Sequence, residues 1–238
     1  MSDRVQYFNR IEKKYLLDEF QYLQLFDFLK DKIITDVYGE STIYNLYYDT
    51  SFDLLIKKSL ERPIFKEKLR IRSYCLPKKK DLVFIEIKRK YQGVVYKRRF
   101  SIELDEAYNL LDINSRNYFK KNQISKEVRY MVNLYELYPK LILIYDRIAY
   151  KFLNEDIRLT IDKNIKNRRE YLKLEEGDSG KLLLKNKYLM EVKTQNSVSL
   201  WFSKLLSELK IFPIPFSKYG EVYMSELKQG NSYDKILF

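Results

Sequence analysis

The chain contains no histidine and a single cysteine, Cys75. Without histidine there is no Ser-His-Asp triad, no Cys-His dyad, no histidine-ligated zinc and no imidazole base. A lone cysteine excludes an intramolecular disulfide framework and a cysteine-rich zinc site. A metal would have to be held by carboxylates, which suits Mg²⁺ or Mn²⁺. Six glycines and five prolines leave little material for flexible linkers. No window approaches ~18 uninterrupted apolar residues, so no integral membrane segment is expected. The stretch from Met1 to Arg10 is polar, so no signal peptide is expected and the location reads as cytoplasmic.

What is present is a chain of 238 residues, 45% apolar and 33% charged. That composition fits a globular protein, and the reading is one domain over residues 1–238. Lys plus Arg is 45 against 33 Asp plus Glu, giving +12. Such a balance points to a polyanionic partner, whether nucleic acid, acidic membrane or phosphate compounds. Net charge does not choose among them; the positions of the charges do.

The coarse pattern is mixed and rich in strands. Val5 to Tyr15, Thr42 to Tyr48, Glu67 to Tyr74, Leu82 to Lys90, Val94 to Leu104, Leu141 to Phe152, Ile157 to Asn164 and Tyr188 to Gln195 read as strands. Tyr91-Gln92-Gly93 and Asn154-Glu155-Asp156 read as turns. Helical spacing covers Asp18 to Ile33, Ser51 to Leu60, Asp105 to Leu111, Ser125 to Leu137 and Ser197 to Leu209, with a short helix after Ser217. The apolar face of Ser197 to Leu209 reads as cover for the outside of the sheet, with a membrane or partner surface as the alternative.

Residues i and i+2 of a strand point to one face. Charges recur at that spacing in strand after strand. Arg10, Glu12 and Lys14 share a face, as do Lys68, Arg70 and Arg72; Glu86, Lys88 and Lys90; Lys97 and Arg99; Arg158 and Asp162; Glu191 and Lys193. Arg147 stands among apolar neighbours. The opposite faces carry Leu69, Ile71, Val83, Ile85, Ile87, Ile142 and Ile144. One wet face of an antiparallel sheet gives the same alternation on any single strand. Heavy use of arginine, whose planar fork suits phosphate oxygens, and the repeated Glu-x-Lys pattern distinguish this face. If the sheet closes into a barrel, these faces converge on its interior. The expectation is α+β: a closed antiparallel barrel of about eight strands forming a basic tunnel, covered by helices.

The segments Arg10-Ile11-Glu12-Lys13-Lys14-Tyr15, Tyr47-Tyr48-Asp49-Thr50, Lys68-Leu69-Arg70-Ile71-Arg72, Phe84-Ile85-Glu86-Ile87-Lys88, Lys97-Arg98-Arg99-Phe100, Tyr145-Asp146-Arg147, Ile157-Arg158-Leu159-Thr160-Ile161-Asp162, Met190-Glu191-Val192-Lys193 and Phe216-Ser217-Lys218-Tyr219 occur in an order that resembles the triphosphate tunnel metalloenzyme (CYTH-like) superfamily. The resemblance is to its VTC branch of polyphosphate polymerase domains, in a bacterial stand-alone form, over nearly the whole chain. It implies that Lys14, Arg70, Arg72, Lys88, Arg147 and Arg158 are catalytic, clamping phosphates in the tunnel. It implies that Lys97, Lys193, Ser217 and Lys218 bind the substrate or product chain. It implies that Glu191 holds Mn²⁺ or Mg²⁺, with Glu12 and Glu86 as helpers. The chain departs from the pattern at Arg10, where the wider superfamily has a carboxylate, and at Phe212-Pro213-Ile214-Pro215, where the eukaryotic branch has a lysine.

The function this implies is metal-dependent phosphoryl transfer, polyphosphate synthesis from the γ-phosphate of ATP. The alternatives are an inorganic or nucleoside triphosphatase and a non-enzymatic polyphosphate binder. Expected partners are ATP or another triphosphate and inorganic polyphosphate. Nucleic acid is not expected, because the aromatics fall mostly at core positions and no RRM or OB-type pattern stands out. A membrane-bound partner protein stays open.

Overall fold

Alternating polar and apolar residues set up the strands, and capped amphipathic segments separate them. The computed structural model describes residues 11–92, 94–115, 122–195 and 197–234. Arg10, the first part of the expected Val5 to Tyr15 strand, and Gly93 of the expected turn lie outside these residues.

The strands are β1 (Ile11–Asp18), β2 (Ile33–Asp49), β3 (Phe65–Ser73), β4 (Leu82–Tyr91), β5 (Val94–Glu103), β6 (Tyr138–Phe152), β7 (Ile157–Arg168), β8 (Lys181–Leu182) and β9 (Lys187–Thr194). The helices are α1 (Glu19–Leu29), α2 (Leu54–Leu60), α3 (Leu104–Leu111), α4 (Gln123–Tyr135), α5 (Leu200–Glu208) and α6 (Lys218–Asp234). All nine strands form one sheet, ordered β1-β9-β7-β6-β2-β3-β4-β5, with β8 beside β7. Every pairing is antiparallel.

Local chemistry fixes the joints. Asp18 ends β1 and caps α1: its carboxylate accepts from Gln21 N at 2.8 Å, and Gln21 Oε1 accepts from Asp18 N at 3.2 Å. Asn122 and Ser125 do the same for α4. Long β2 shifts register between Thr35 and Glu40, where Gly39 sits at φ 57°, a conformation that favours glycine.

Two apolar layers lie on the convex face. Leu46, Leu69, Ile71, Ile85 and Ile87 pack under Ala107, Leu111, Val128 and Val132 of α3 and α4. Leu17, Leu159, Met190 and Val192 pack under Leu25 and Leu29 of α1 and Phe202 and Leu206 of α5. The expected role of the α5 segment as outer cover is the one observed. A third cluster lies on the concave face, where Tyr47, Leu141, Leu143, Ile165 and Leu189 meet Ile56 of α2 and Tyr219 and Val222 of α6. The interior is therefore apolar at one end and charged elsewhere.

The sheet is strongly curved. Lys88 on β4 lies within electrostatic reach of Glu12 and Lys14 on β1 and Glu191 on β9, although these strands belong to opposite ends of the sheet. The expected closed barrel needs correction: among the described residues no hydrogen-bonded pairing joins β1 to β5. The free edge of β1 is taken instead by the segment before α6. Ile214 N donates to Lys14 O at 2.7 Å, and Tyr15 bridges Pro213. Proline has no N–H, so this pairing stops there. The architecture is α+β, a curled antiparallel sheet with a lengthwise seam between β1 and β5.

Two boundaries also differ. The helix expected to reach Ile33 ends at Leu29, because the β-branched run Ile33-Ile34-Thr35 pairs with β6. The short helix expected after Ser217 is the 17-residue α6. No described helix is long and apolar enough to cross a membrane.

Candidate functional site

The concave face carries two unlike walls. Register sets Lys68 opposite Lys88, Lys88 opposite Lys97, Arg70 opposite Glu86 and Glu86 opposite Arg99. Arg72 extends the β3 row. This wall thus holds six cations around one carboxylate.

Glu86 is almost fully buried, and the cations converge on it. Arg70 Nε and Nη2 donate to its Oε2 at 2.9 and 2.7 Å. Arg72 lies 3.7 Å, Lys97 2.7 Å and Arg99 3.8 Å from its oxygens. Burial pushes the Glu86 carboxyl up, but Arg70, Arg72 and Lys97 outweigh it and hold the group well below the usual carboxylate range. Arg70 also donates to Tyr47 Oη at 2.7 Å, and Arg72 to Asn45 Oδ1 at 2.9 Å and Tyr145 Oη at 3.2 Å. These phenols and the amide aim the guanidinium forks.

Lys88 has no hydrogen bond or ion pair among the described residues. Burial, with Lys14 and Arg70 nearby, lowers its ammonium, against the pull of Glu12 and Glu191. Burial, with Lys88, Lys14 and Lys66, lowers Lys68 to about 8. Lys97 is also lowered to about 8, by burial first and then by Arg72 and Arg70, against Glu86. A nearby phosphate would favour the charged form of all three lysines.

The opposite wall, β1 and β9, alternates signs. Lys14 stands opposite Glu191, and Glu12 opposite Lys193. Lys14 lies 3.4 Å from Glu12, and Lys193 lies 2.5 Å from Glu191. Burial raises the Glu191 carboxyl, yet Lys193, Arg147 and Lys14 together hold it well below the usual range.

Between the walls, Arg147 on β6 and Asp162 on β7 form a two-pronged pair at 2.5 and 2.7 Å. Lys218, the first residue of α6, donates to the same Asp162 carboxylate at 2.5 Å. Its ammonium lies 4.3 Å from the centre of the Tyr145 ring. Burial raises the Tyr145 phenol, but Arg72, Arg147 and Lys218 outweigh burial and bring it to about 8. Ser217 Oγ accepts from Lys68 at 3.0 Å and from Gly220 N at 3.2 Å. Phe216 O accepts from Lys14 at 3.0 Å. The start of α6 therefore ties β1, β3 and β7 together.

The structure brings Lys14, Arg70, Arg72, Lys88, Lys97, Arg147, Glu191, Ser217 and Lys218 onto this one concave face. Arg158 stands apart at the rim: its guanidinium donates to Asp36 at 2.8 Å and is about half exposed. Lys193 is its register neighbour. Sequence reasoning assigned no site role to Lys68, Arg99, Tyr47, Tyr145 or the Asp36 partner of Arg158. Lys68 and Arg99 were recoverable, since each shares strand spacing with an assigned arginine or lysine. Tyr145 precedes Arg147 by two, so the same period pointed to it. Nothing in the sequence pointed to Asp36, which lies in the first half of β2, outside the expected Thr42 to Tyr48 strand.

The family model for the VTC domain matches residues 9–226. The chain belongs to the VTC family. Its fold resembles the crystal structure of a putative adenylate cyclase from Bacillus halodurans, at a TM-score of 0.54 and 16% identity, covering 87% of this chain and 93% of that one. A putative adenylate cyclase from Vibrio parahaemolyticus gives 0.48 at 11% identity, over 92% of this chain and 99% of that one. The Mimivirus capping enzyme triphosphatase gives 0.35 at 12% identity, over 85% and 87%. No curated protein sequence matches the chain.

The chain offers a limited donor set for the divalent cation expected from its sequence. No group of three or more His, Cys, Asp or Glu side chains suited to a metal occurs among the described residues. Glu86 is committed to four cations. Glu191 and Glu12 are diagonal neighbours on paired strands, and two carboxylates completed by substrate phosphates form a set that suits Mg²⁺ or Mn²⁺.

Proposed function

We propose that this chain transfers phosphoryl groups, extending inorganic polyphosphate with the γ-phosphate of ATP or another nucleoside triphosphate. The observation that carries this reading is the β3–β4–β5 wall, where like charges stand directly opposite each other. Such pairs are destabilising by themselves, and a bound chain of phosphates removes the conflict.

Phosphoryl transfer asks the protein mainly to position groups and stabilise charge. Arg70 and Arg72, aimed by Tyr47, Asn45 and Tyr145, clamp phosphate oxygens with fixed forks. Lys14, Lys68, Lys88 and Lys97 add point charges around the transferred group. Arg147 and Lys218, which share Asp162, and the Ser217 hydroxyl hold the next phosphates of the chain. Lys193 and Arg158 extend the basic surface at the rim. Glu191 and Glu12 would hold Mn²⁺ or Mg²⁺, which when bound supplies neutralisation of charge on the leaving phosphates. Glu86 serves as the buried counterion that keeps the arginines in place. No side-chain nucleophile is needed, in keeping with the lack of histidine.

The same phosphate-binding groups would also serve a second reading, hydrolysis of the triphosphate, with water in place of the chain end as acceptor. Incubation of the protein with ATP and Mn²⁺, with products run on a polyphosphate-stained gel and free phosphate assayed in parallel, separates the two. Chains are the expected product. Free phosphate alone would establish the triphosphatase, and neither product would overturn both.

A further inference from the structure

The row of interior cations on β3 does not stop at the site. It continues by one more step, to Lys66, whose register partner on β4 is Lys90. Arg62 lies next to them, just past the end of α2, and with Lys90 and Lys14 it adds to burial in lowering the Lys66 ammonium. None of Lys66, Lys90 and Arg62 has a carboxylate partner among the described residues; Lys66 Nζ donates only to the backbone, at Ser59 O, 3.1 Å away. By contrast, most other cations on this face are tied to a carboxylate. Lys90 and Arg62 are exposed and Lys66 is half-buried, so the row runs from the buried site out to solvent.

Two features set this group apart from an ordinary wet strand end. Lys66 and Lys90 are directly opposed like charges, the costly arrangement in a sheet. They also continue the Lys68 to Lys88 pair on the same face, so that four cations on β3 (Lys66, Lys68, Arg70, Arg72) span about 20 Å at the strand rise of ~3.4 Å per residue. A triphosphate clamped at Arg70 and Arg72 fills only part of such a row.

We propose that Lys66, Lys90 and Arg62 form an outer anion subsite that takes the distal phosphates of a linear polyphosphate chain, and that the chain leaves the site beside the end of α2. This rests on the phosphate-binding reading above and adds to it a ligand length and a direction.

The test is calorimetric titration of the wild-type chain and of the double variant Lys66→Gln/Lys90→Gln with two probes, inorganic tripolyphosphate and long-chain polyphosphate. The substitutions remove opposed charges and leave the site's clamping residues in place. The double variant should keep its melting temperature or gain slightly, which checks folding. The expected result is about a 10-fold loss of affinity for the long chain, with tripolyphosphate affinity within about twofold of wild type. Equal losses for both probes would overturn the outer subsite, since the two lysines would then belong to the triphosphate site. No loss for either would overturn it as well. Wild-type protein that binds tripolyphosphate but shows no preference for the long chain would overturn it while leaving the proposed reaction standing. Wild-type protein that binds neither probe would overturn the proposed reaction itself.

Discussion

The β3–β4–β5 wall and the β1–β9 wall face each other across one curled sheet, yet their charge design is opposite. The first gathers six cations around Glu86. The second pairs each acid with a lysine two residues away, Glu12 with Lys14 and Glu191 with Lys193. A wall with surplus positive charge attracts anions, and a bound anion relieves its repulsion. A balanced wall has no such surplus, and in the proposed reaction its carboxylates would exchange a lysine for a metal. In the proposed reaction, anion clamp and metal seat are divided between opposite ends of the sheet, and curvature brings the two walls together. Lys88, which has no hydrogen bond or ion pair among the described residues, sits where the two meet.

The comparison breaks most visibly at Glu191. Glu191→Gln removes the charge that would hold the cation while keeping the side chain's shape. Metal-dependent turnover should fall by about 10³-fold or more, in line with ~4 kcal/mol of lost transition-state stabilisation. Steady-state assay of ATP consumption over a Mn²⁺ titration reads this; full activity at saturating Mn²⁺ would remove Glu191 from the metal seat.

Glu86→Gln probes the other wall in a different currency. It leaves Arg70, Arg72 and Lys97 around a neutral amide. Breaking a buried ion pair on one side costs roughly 3–5 kcal/mol, so the melting temperature should drop by roughly 10 °C for a chain of this size. Scanning calorimetry measures it, and added tripolyphosphate should restore part of the loss by supplying the missing negative charge.

Lys88→Met is the milder probe of the same wall. Lys88 has no hydrogen bond or ion pair to orphan among the described residues, so the fold should keep its melting temperature. Tripolyphosphate affinity should fall by about 10- to 100-fold, the worth of one charged hydrogen bond, as read by calorimetry.

The smallest expected effect is on pH. Lys68 and Lys97 titrate at about 8 in the free protein, and a bound phosphate favours their charged forms. Tripolyphosphate binding should therefore take up protons near pH 8, and affinity should fall a few-fold as pH rises through 8. The sign reverses for stability. The unfolded chain keeps these lysines protonated to higher pH, so their contribution to folding stability improves between about pH 8 and the ordinary lysine value near 10.4. Calorimetry in buffers of different ionisation enthalpy checks the first, and melting curves across that range check the second.

Much of this arrangement was written at strand spacing. Arg70 and Arg72, or Glu191 and Lys193, announce one face by their period of two, and Leu69, Ile71, Ile85 and Ile87 announce the other. What the period does not carry is how the sheet ends. Nothing in Tyr15 or Pro213 says that the free edge of β1 pairs with the segment before α6, so strand spacing alone reads as a closed barrel. The first half of β2 was lost for a related reason: Ile33 and Ile34 follow a helical pattern without a break, and only pairing with β6 decides them. Arg158 shows the same limit in the site. Its spacing places it on the charged face, but its position at the rim and its Asp36 partner depend on the register shift in β2. Likewise Glu86 reads as a candidate metal helper by type and becomes a buried counterion by neighbourhood.

The division of labour between the walls is tested most directly by titrating tripolyphosphate into wild type, Glu191→Gln and Lys88→Met, with and without Mn²⁺. The account predicts that metal-free binding survives in Glu191→Gln and weakens in Lys88→Met, whereas the gain in affinity on adding Mn²⁺ survives in Lys88→Met and is lost in Glu191→Gln. The reverse pattern, with Glu191→Gln losing metal-free binding and keeping the Mn²⁺ effect, would contradict it.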